Sequence, residues 1–282
     1  MAFNVYINKK TIPWNDRGFN YGDGIFETLL VLQNKPKYLK EHIERLCRGC
    51  SALNIPAPST NLIKKNIKTC IGSSRECIVK IILTRGVSDF GYKINPKVVP
   101  SIYFFKIKFN TKQIKLGNSY VKLGFSKYRL KSNIELSKIK HLGRLEQICI
   151  AQDLLKRKGL DDLVVLDEND NIIECLSSNI FFIGDKSLFY ETPSIKTCGV
   201  EGVLRNIVIN HLKSLGDPMR STTISKNDLN KYRHCFITNS VQGLVFVDQI
   251  GSKKFSKPDN LFTAAVFLDF MYNKKNSLQY SI

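Results

Sequence analysis

The chain has 282 residues, 43% of them hydrophobic and 10% aromatic, which is enough for one large core or two ordinary ones and excludes a disordered chain. Forty-three lysines and arginines against 24 acidic residues give a formal charge of +19, a balance suited to nucleic acid, a membrane surface or small anionic ligands. The basic residues are scattered as Lys64-Lys65, Lys156-Arg157-Lys158, Lys253-Lys254 and Lys274-Lys275 without interleaved aromatics, so a solvated lysine-rich surface is expected, with no nucleic acid and no membrane as partner. No apolar run has the length of a bilayer span and residues 1–4 lack a signal-peptide layout, so a soluble cytoplasmic protein is expected. Its eight cysteines should be reduced thiols, and the single CxxC, Cys47 and Cys50, has no second pair to complete a metal site.

In chain order, residues 3–8 alternate as a strand and turn into Thr11-Ile12-Pro13, which predicts an opening hairpin. Gly18, Gly22 and Gly24 mark a tight loop where backbone can approach a ligand, followed by a strand. A short strand over 36–39 leads to a helix over 40–54; Arg45, one turn in, offers paired planar donors suited to a phosphate. Ser59 and Thr60 cap a second helix to about 71, and strands over 76–84 and 101–109 flank a loop at 87–92. The polar stretch that follows predicts an N-terminal domain over 1–110, a linker over 111–118 and a C-terminal domain over 119–282.

In the second domain a strand over 119–126 precedes Lys140, which has Ile139, Leu142 and Leu145 as apolar neighbours in sequence. A lysine held partly away from water gives up its proton more readily, and a neutral amine is what imine chemistry requires. A helix over 144–158 stops at basic residues and Gly159, and a hairpin over 163–174 carries the carboxylate of Glu174 on its far strand. Cys198-Gly-Val-Glu-Gly-Val-Leu-Arg205 opens a helix to about 215, and a glycine-preceded helix N-terminus is an anion site. Residues 235–247 read as strand, polar turn and strand, and 258–273 as an amphipathic closing helix.

Taken together, Asp16-Arg-Gly with Gly22-Asp-Gly and Phe26-Glu-Thr28, His42-Ile-Glu-Arg45-Leu46, Lys140-His-Leu-Gly-Arg-Leu-Glu-Gln147, Glu174-Cys-Leu-Ser-Ser-Asn-Ile-Phe181 and Gly199-Val-Glu-Gly-Val-Leu-Arg205 resemble the fold-type IV, pyridoxal-phosphate-dependent family, the class IV aminotransferases. The resemblance implies an α+β, two-domain enzyme with a small N-terminal α/β domain and a larger, β-barrel-like C-terminal domain with helices. It implies pyridoxal 5'-phosphate as cofactor, joined to Lys140. Glu174 would face the ring nitrogen and keep it protonated, making the ring a stronger electron sink. Arg45, the amides of Val203 and Leu204, and Ser240 would hold the phosphate; Asn239 would border the substrate, Thr28 would relay protons with Lys140, and the enzyme would be a homodimer. Two positions depart from the family pattern, Gly143 where asparagine is usual and Phe246 where proline is common.

Within the family the string from Lys140 to Gln147 is closer to the lyases than to the transaminases, which implies conversion of 4-amino-4-deoxychorismate to 4-aminobenzoate and pyruvate, a step of folate biosynthesis. Tyr92 and Arg129 are candidates for the carboxylates of that dianionic substrate, with a structural ion pair as the other reading of Arg129. The competing functions are a class IV aminotransferase acting on D-amino or branched-chain acids, and a basic nucleic-acid-binding protein with degenerate motifs.

Overall fold

The structure, a computed structural model, describes residues 2–89, 91–110, 120–184 and 189–256. The expected linker over 111–118 and the closing helix over 258–273 lie outside the described residues. The chain divides into two units, Met1–Gln113 with Ile139–Arg144, and Ile114–Lys138 with Leu145–Ile282. The short segment around Lys140 thus belongs with the first unit, although the sequence reading placed all of 119–282 in the second domain.

Among the described residues, the first unit is built on a five-stranded sheet in the order β1-β5-β4-β2-β3. The strands are β1 (Asn4–Ile7), β2 (Gly24–Leu32), β3 (Lys35–Pro36), β4 (Glu76–Thr84) and β5 (Ser101–Lys108). The predicted opening hairpin is not formed. β1 instead runs parallel to β5, Asn4 opposite Ser101, while the 11–13 segment ends at a proline that has no N–H to give a ladder. The expected glycine loop contains a short helix, α1 (Arg17–Tyr21), capped by the Asp16 side chain on Gly18 N and closed by Gly22 at φ 67°. Asp16 is fully buried and also accepts from the hydroxyls of Thr84 and Tyr103, at 3.0 and 2.8 Å. It therefore ties α1 to the sheet.

The helices α2 (Leu39–Ala52) and α3 (Thr60–Ile71) cover one face of this sheet. Their Ile43, Leu46, Ile63 and Ile67 pack on Ile25, Leu29, Val79, Ile81 and Leu83, and each side chain so buried stabilises the unit by roughly 1.5–3 kcal/mol. Alternation along β2 puts Ile25, Glu27 and Leu29 on the helix-covered face and Phe26 and Thr28 on the other. The expected cap of α3 is present, Ser59 Oγ accepting from Leu62 N at 3.2 Å.

The second unit contains, among the described residues, a nine-stranded sheet ordered β11-β10-β9-β12-β13-β6-β7-β8, with β14 on β13. Its strands are β6 (Tyr120–Leu130), β7 (Asp162–Asp167), β8 (Ile172–Cys175), β9 (Asn179–Gly184), β10 (Tyr190–Pro193), β11 (Met219–Thr222), β12 (Tyr232–Asn239), β13 (Gly243–Ile250) and β14 (Lys253–Lys254). The sheet curls until its ends meet, Ile172 N donating to Ile224 O at 2.7 Å beside a bridge between Asn171 and Ser225. Val121, Leu123, Val164, Phe182, Ile237 and Val247 fill the interior. Outside, α5 (Val203–Ser214) lays Val208 and Leu212 on Phe181, Phe236 and Leu244. A second helix, α4 (Leu145–Leu155), contributes Ile150 to a cluster with Leu163 and Val165. The α+β architecture implied by the sequence is therefore present, with a sheet-and-helix unit and a larger barrel-like one.

Candidate active site

Lys140 is held by its backbone. Its carbonyl accepts from Phe26 N at 2.9 Å, Leu142 N donates to Gly24 O at 2.9 Å, and His141 bridges antiparallel to Ile25. Residues 140–142 thus extend the sheet beside the start of β2. The Lys140 Nζ lies 4.5 Å from the centre of the Phe26 ring, on the face of β2 that Thr28 shares two residues further along. Leu145, counted among the apolar neighbours of Lys140 in the sequence, is 79% exposed; the nearby apolar surface is the Phe26 ring. Arg144 clasps the turn by donating to Ile139 O at 2.7 Å and His141 O at 3.1 Å. Burial and then the Arg144 charge push the His141 imidazole down to about 4, so it stays neutral at physiological pH.

Lys80 is a residue that the sequence reading missed. It pairs with Thr28 across β2 and β4, and its Nζ lies 5.4 Å from the same Phe26 ring. Tyr92, a candidate for substrate carboxylates, is 86% exposed and leans on Tyr21 with ring centres 5.2 Å apart.

Arg45 lies on the helix-covered side, buried against Glu27 of β2. Its Nε donates to Oε1 at 2.7 Å and its Nη2 to Oε2 at 2.6 Å, and His42 Nδ1 is 2.6 Å from Oε2. Burial would raise the Glu27 carboxyl, but the Arg45 and His42 charges and hydrogen bonds outweigh it and bring the group down to about 2. Two donors of the expected phosphate ligand are thus spent on a carboxylate within the unit. The nearby CxxC is unreactive at Cys50, whose thiol burial pushes up to about 12.

In the second unit, Glu174 is buried on β8 and its Oε2 accepts from Val200 N at 2.8 Å. Asn179, at the start of β9, donates to Val200 O at 2.9 Å. Three residues after Val200 the helix α5 begins. Gly202 at its cap position supplies no side-chain hydrogen bond, so the first-turn amides, Val203 and Leu204 included, keep the donor character that suits an anion. Across the β12–β13 turn, Asn239 accepts from Val241 N and Gln242 N at 3.0 and 2.7 Å and donates to Ser178 Oγ at 3.0 Å. Asn239 fixes the turn that presents Ser240. Arg129 donates to Asp170 at 2.7 Å and to Ser126 O at 3.0 Å, which is the structural ion pair and not a free carboxylate anchor.

The first unit offers an amine at Lys140, and the second offers a buried carboxylate at Glu174 and an uncapped helix N-terminus at α5, group types that suit the aldehyde, ring nitrogen and phosphate of pyridoxal 5'-phosphate. No group of three or more potential metal ligands occurs among the described residues. The architecture of the two units is that of the fold-type IV enzymes.

The amino-transferase class IV family matches residues 24–250, and the chain belongs to that family of pyridoxal-phosphate-dependent enzymes. It is 27% identical over 249 residues to a protein of Vibrio harveyi described as aminodeoxychorismate lyase, covering 88% of this chain and 89% of that one. Among solved structures, the 4-amino-4-deoxychorismate lyase of Pseudomonas aeruginosa superimposes with a TM-score of 0.84 at 26% identity, covering 95% and 96% of the two chains. A branched-chain aminotransferase from Thermoproteus uzoniensis shares the fold at a TM-score of 0.82 and 17% identity, with 96% and 93% covered.

Proposed function

We propose that the chain is a pyridoxal-phosphate-dependent lyase converting 4-amino-4-deoxychorismate to 4-aminobenzoate and pyruvate. The observation that carries this reading is the placement of Lys140, a backbone-fixed amine on the face of β2 that also bears Thr28. The Vibrio and Pseudomonas lyases supply the substrate. In the same reading the enzyme is a cytoplasmic homodimer.

When bound, the cofactor would supply an aldehyde that passes from Lys140 to the substrate's own amine and a ring that takes up electrons as a proton leaves the substrate. Lys140 Nζ, released from the aldehyde by the substrate's amine, would remove that proton from the carbon bearing nitrogen, and the Thr28 hydroxyl would relay it to the enolpyruvyl group, whose methylene carbon takes it up to give pyruvate. The enolpyruvyl carbon–oxygen bond then breaks within the same molecule, the carbocycle becomes aromatic, and no co-reactant is needed. Glu174 sets a negative charge for the ring nitrogen; Arg45, Ser240 and the amides of Val203 and Leu204 take the phosphate, and Asn239 shapes the turn beside the substrate. Tyr92 remains the candidate for a substrate carboxylate, with Lys80 added by its position beside Thr28.

Incubation with aminodeoxychorismate releases pyruvate without any keto-acid acceptor, read by coupling to lactate dehydrogenase. Strict dependence on an acceptor would make the protein a transaminase instead. Glu174→Gln leaves an acceptor for Val200 N but removes the charge, and should lower kcat by about tenfold or more, a change of ~1.4 kcal/mol in the barrier. An unchanged kcat removes the electronic role of Glu174.

A further inference from the structure

The peptide unit pair around Val200 is gripped from two sides. Its N–H goes to Glu174 Oε2 on β8 and its carbonyl to Asn179 Nδ2 on β9, at 2.8 and 2.9 Å. The flanking residues are held by a third anchor, Lys138 N donating to Gly199 O at 2.9 Å and Glu201 N to Lys138 O at 3.0 Å, so residues 199–201 run as a strap beside Lys138. The strap lies hard against β8. Gly199 has φ +92°, and a Cβ there would stand 2.8 Å from Ile173 Cγ2. At its other end, a Cβ on Gly202 would collide with Asn179 Oδ1. The Asn179 amide therefore works at both ends, its nitrogen on Val200 and its oxygen against the residue that opens α5.

Glu174 lies at one end of this arrangement and the α5 N-terminus at the other. We propose that Asn179 is a positioning residue for phosphate recognition: by fixing the strap from the side opposite Glu174, it sets where the first amides of α5 point. This rests on the cofactor reading above. Asparagine suits the task because a carbonyl needs a donor, which an aspartate at the same place lacks, and a carboxylate there would also oppose an incoming phosphate.

The test compares pyridoxal 5'-phosphate with phosphate-free pyridoxal on the apoprotein. Loss of one hydrogen bond that orients a binding site costs on the order of 1.4 kcal/mol, or tenfold in Kd. Asn179→Ala should weaken pyridoxal 5'-phosphate about tenfold and leave pyridoxal within about twofold, shrinking the preference for the phosphorylated form. Gly202→Ala, which displaces the Asn179 side chain while keeping its chemistry, should give the same selective loss if Asn179→Ala does not fold. Hydrogen exchange on the apoprotein should show faster exchange at Val200, whose N–H is bonded to Glu174, in either variant. Equal weakening of both ligands, or none, overturns the proposal, because a merely structural residue would not discriminate between them. If the parent protein binds neither ligand, the cofactor reading fails, and unchanged exchange at Val200 then rejects the strap as well.

Discussion

Lys140→Ala should abolish the covalent trapping of pyridoxal 5'-phosphate by borohydride and lower lyase turnover by about 10²–10⁴-fold from the loss of the base alone. The expectation rests on how narrowly the amine is placed. Backbone bonds from Phe26 to Lys140 and from Leu142 to Gly24 fix the Cα against β2, Arg144 clasps the turn behind it, and the side chain crosses the Phe26 ring. Two other lysines provide controls. Lys80 approaches the same ring and Lys138 precedes Lys140 by two residues, so a label on a nearby lysine is a real alternative outcome. Reduction, digestion and mass spectrometry should place the cofactor on Lys140 in the parent protein and in Lys80→Ala. A label retained by Lys140→Ala, or found on Lys80 or Lys138, sinks the assignment.

The stretches to which the proposed chemistry is assigned can be picked out in the sequence because each is contiguous: the Lys140 string, the carboxylate of Glu174, and the glycines ahead of α5. What supports them cannot, because it comes from remote positions. The apolar partner of Lys140 is Phe26 and not the neighbouring Leu145, since residues 140–142 add to the edge of β2. The partner of Arg129 is Asp170 in the turn beyond β7, and that of Arg45 is Glu27 on a strand that precedes its helix. Asn179 sits inside a recognised string, yet its role depends on Val200 and Gly202. The same cause explains the missing hairpin, where a parallel partner from β5 replaces the local one. It also explains the unpredicted strands β10 and β11, four residues each, which pair parallel to one another across an intervening helix.

Glu27→Ala should be the most destabilising single change in the first unit. Glu27 is 1% exposed, and both its oxygens are engaged by Arg45 with His42 close to one of them. Removing the carboxylate leaves the Arg45 guanidinium buried without that counter-charge, a loss of about 3–5 kcal/mol for pairs of this kind. The pH dependence follows from the sign of the shift. Arg45 and His42 overcome burial and hold the carboxyl at about 2, below its ordinary 4.5, so the folded protein resists protonation there. The contribution is complete above pH 4.5 and is lost as pH falls towards about 2. Urea unfolding of the parent protein and Glu27→Ala should therefore show the full gap at pH 7 and a shrinking one below 4.5. A difference under about 1 kcal/mol at pH 7 would place the pair in the class of weak surface bridges and refute the account. The consequence reaches the proposed phosphate contact, because an arginine already fixed by two hydrogen bonds meets an anion with little further ordering cost. Glu27→Ala should thus also weaken pyridoxal 5'-phosphate relative to pyridoxal in whatever fraction remains folded.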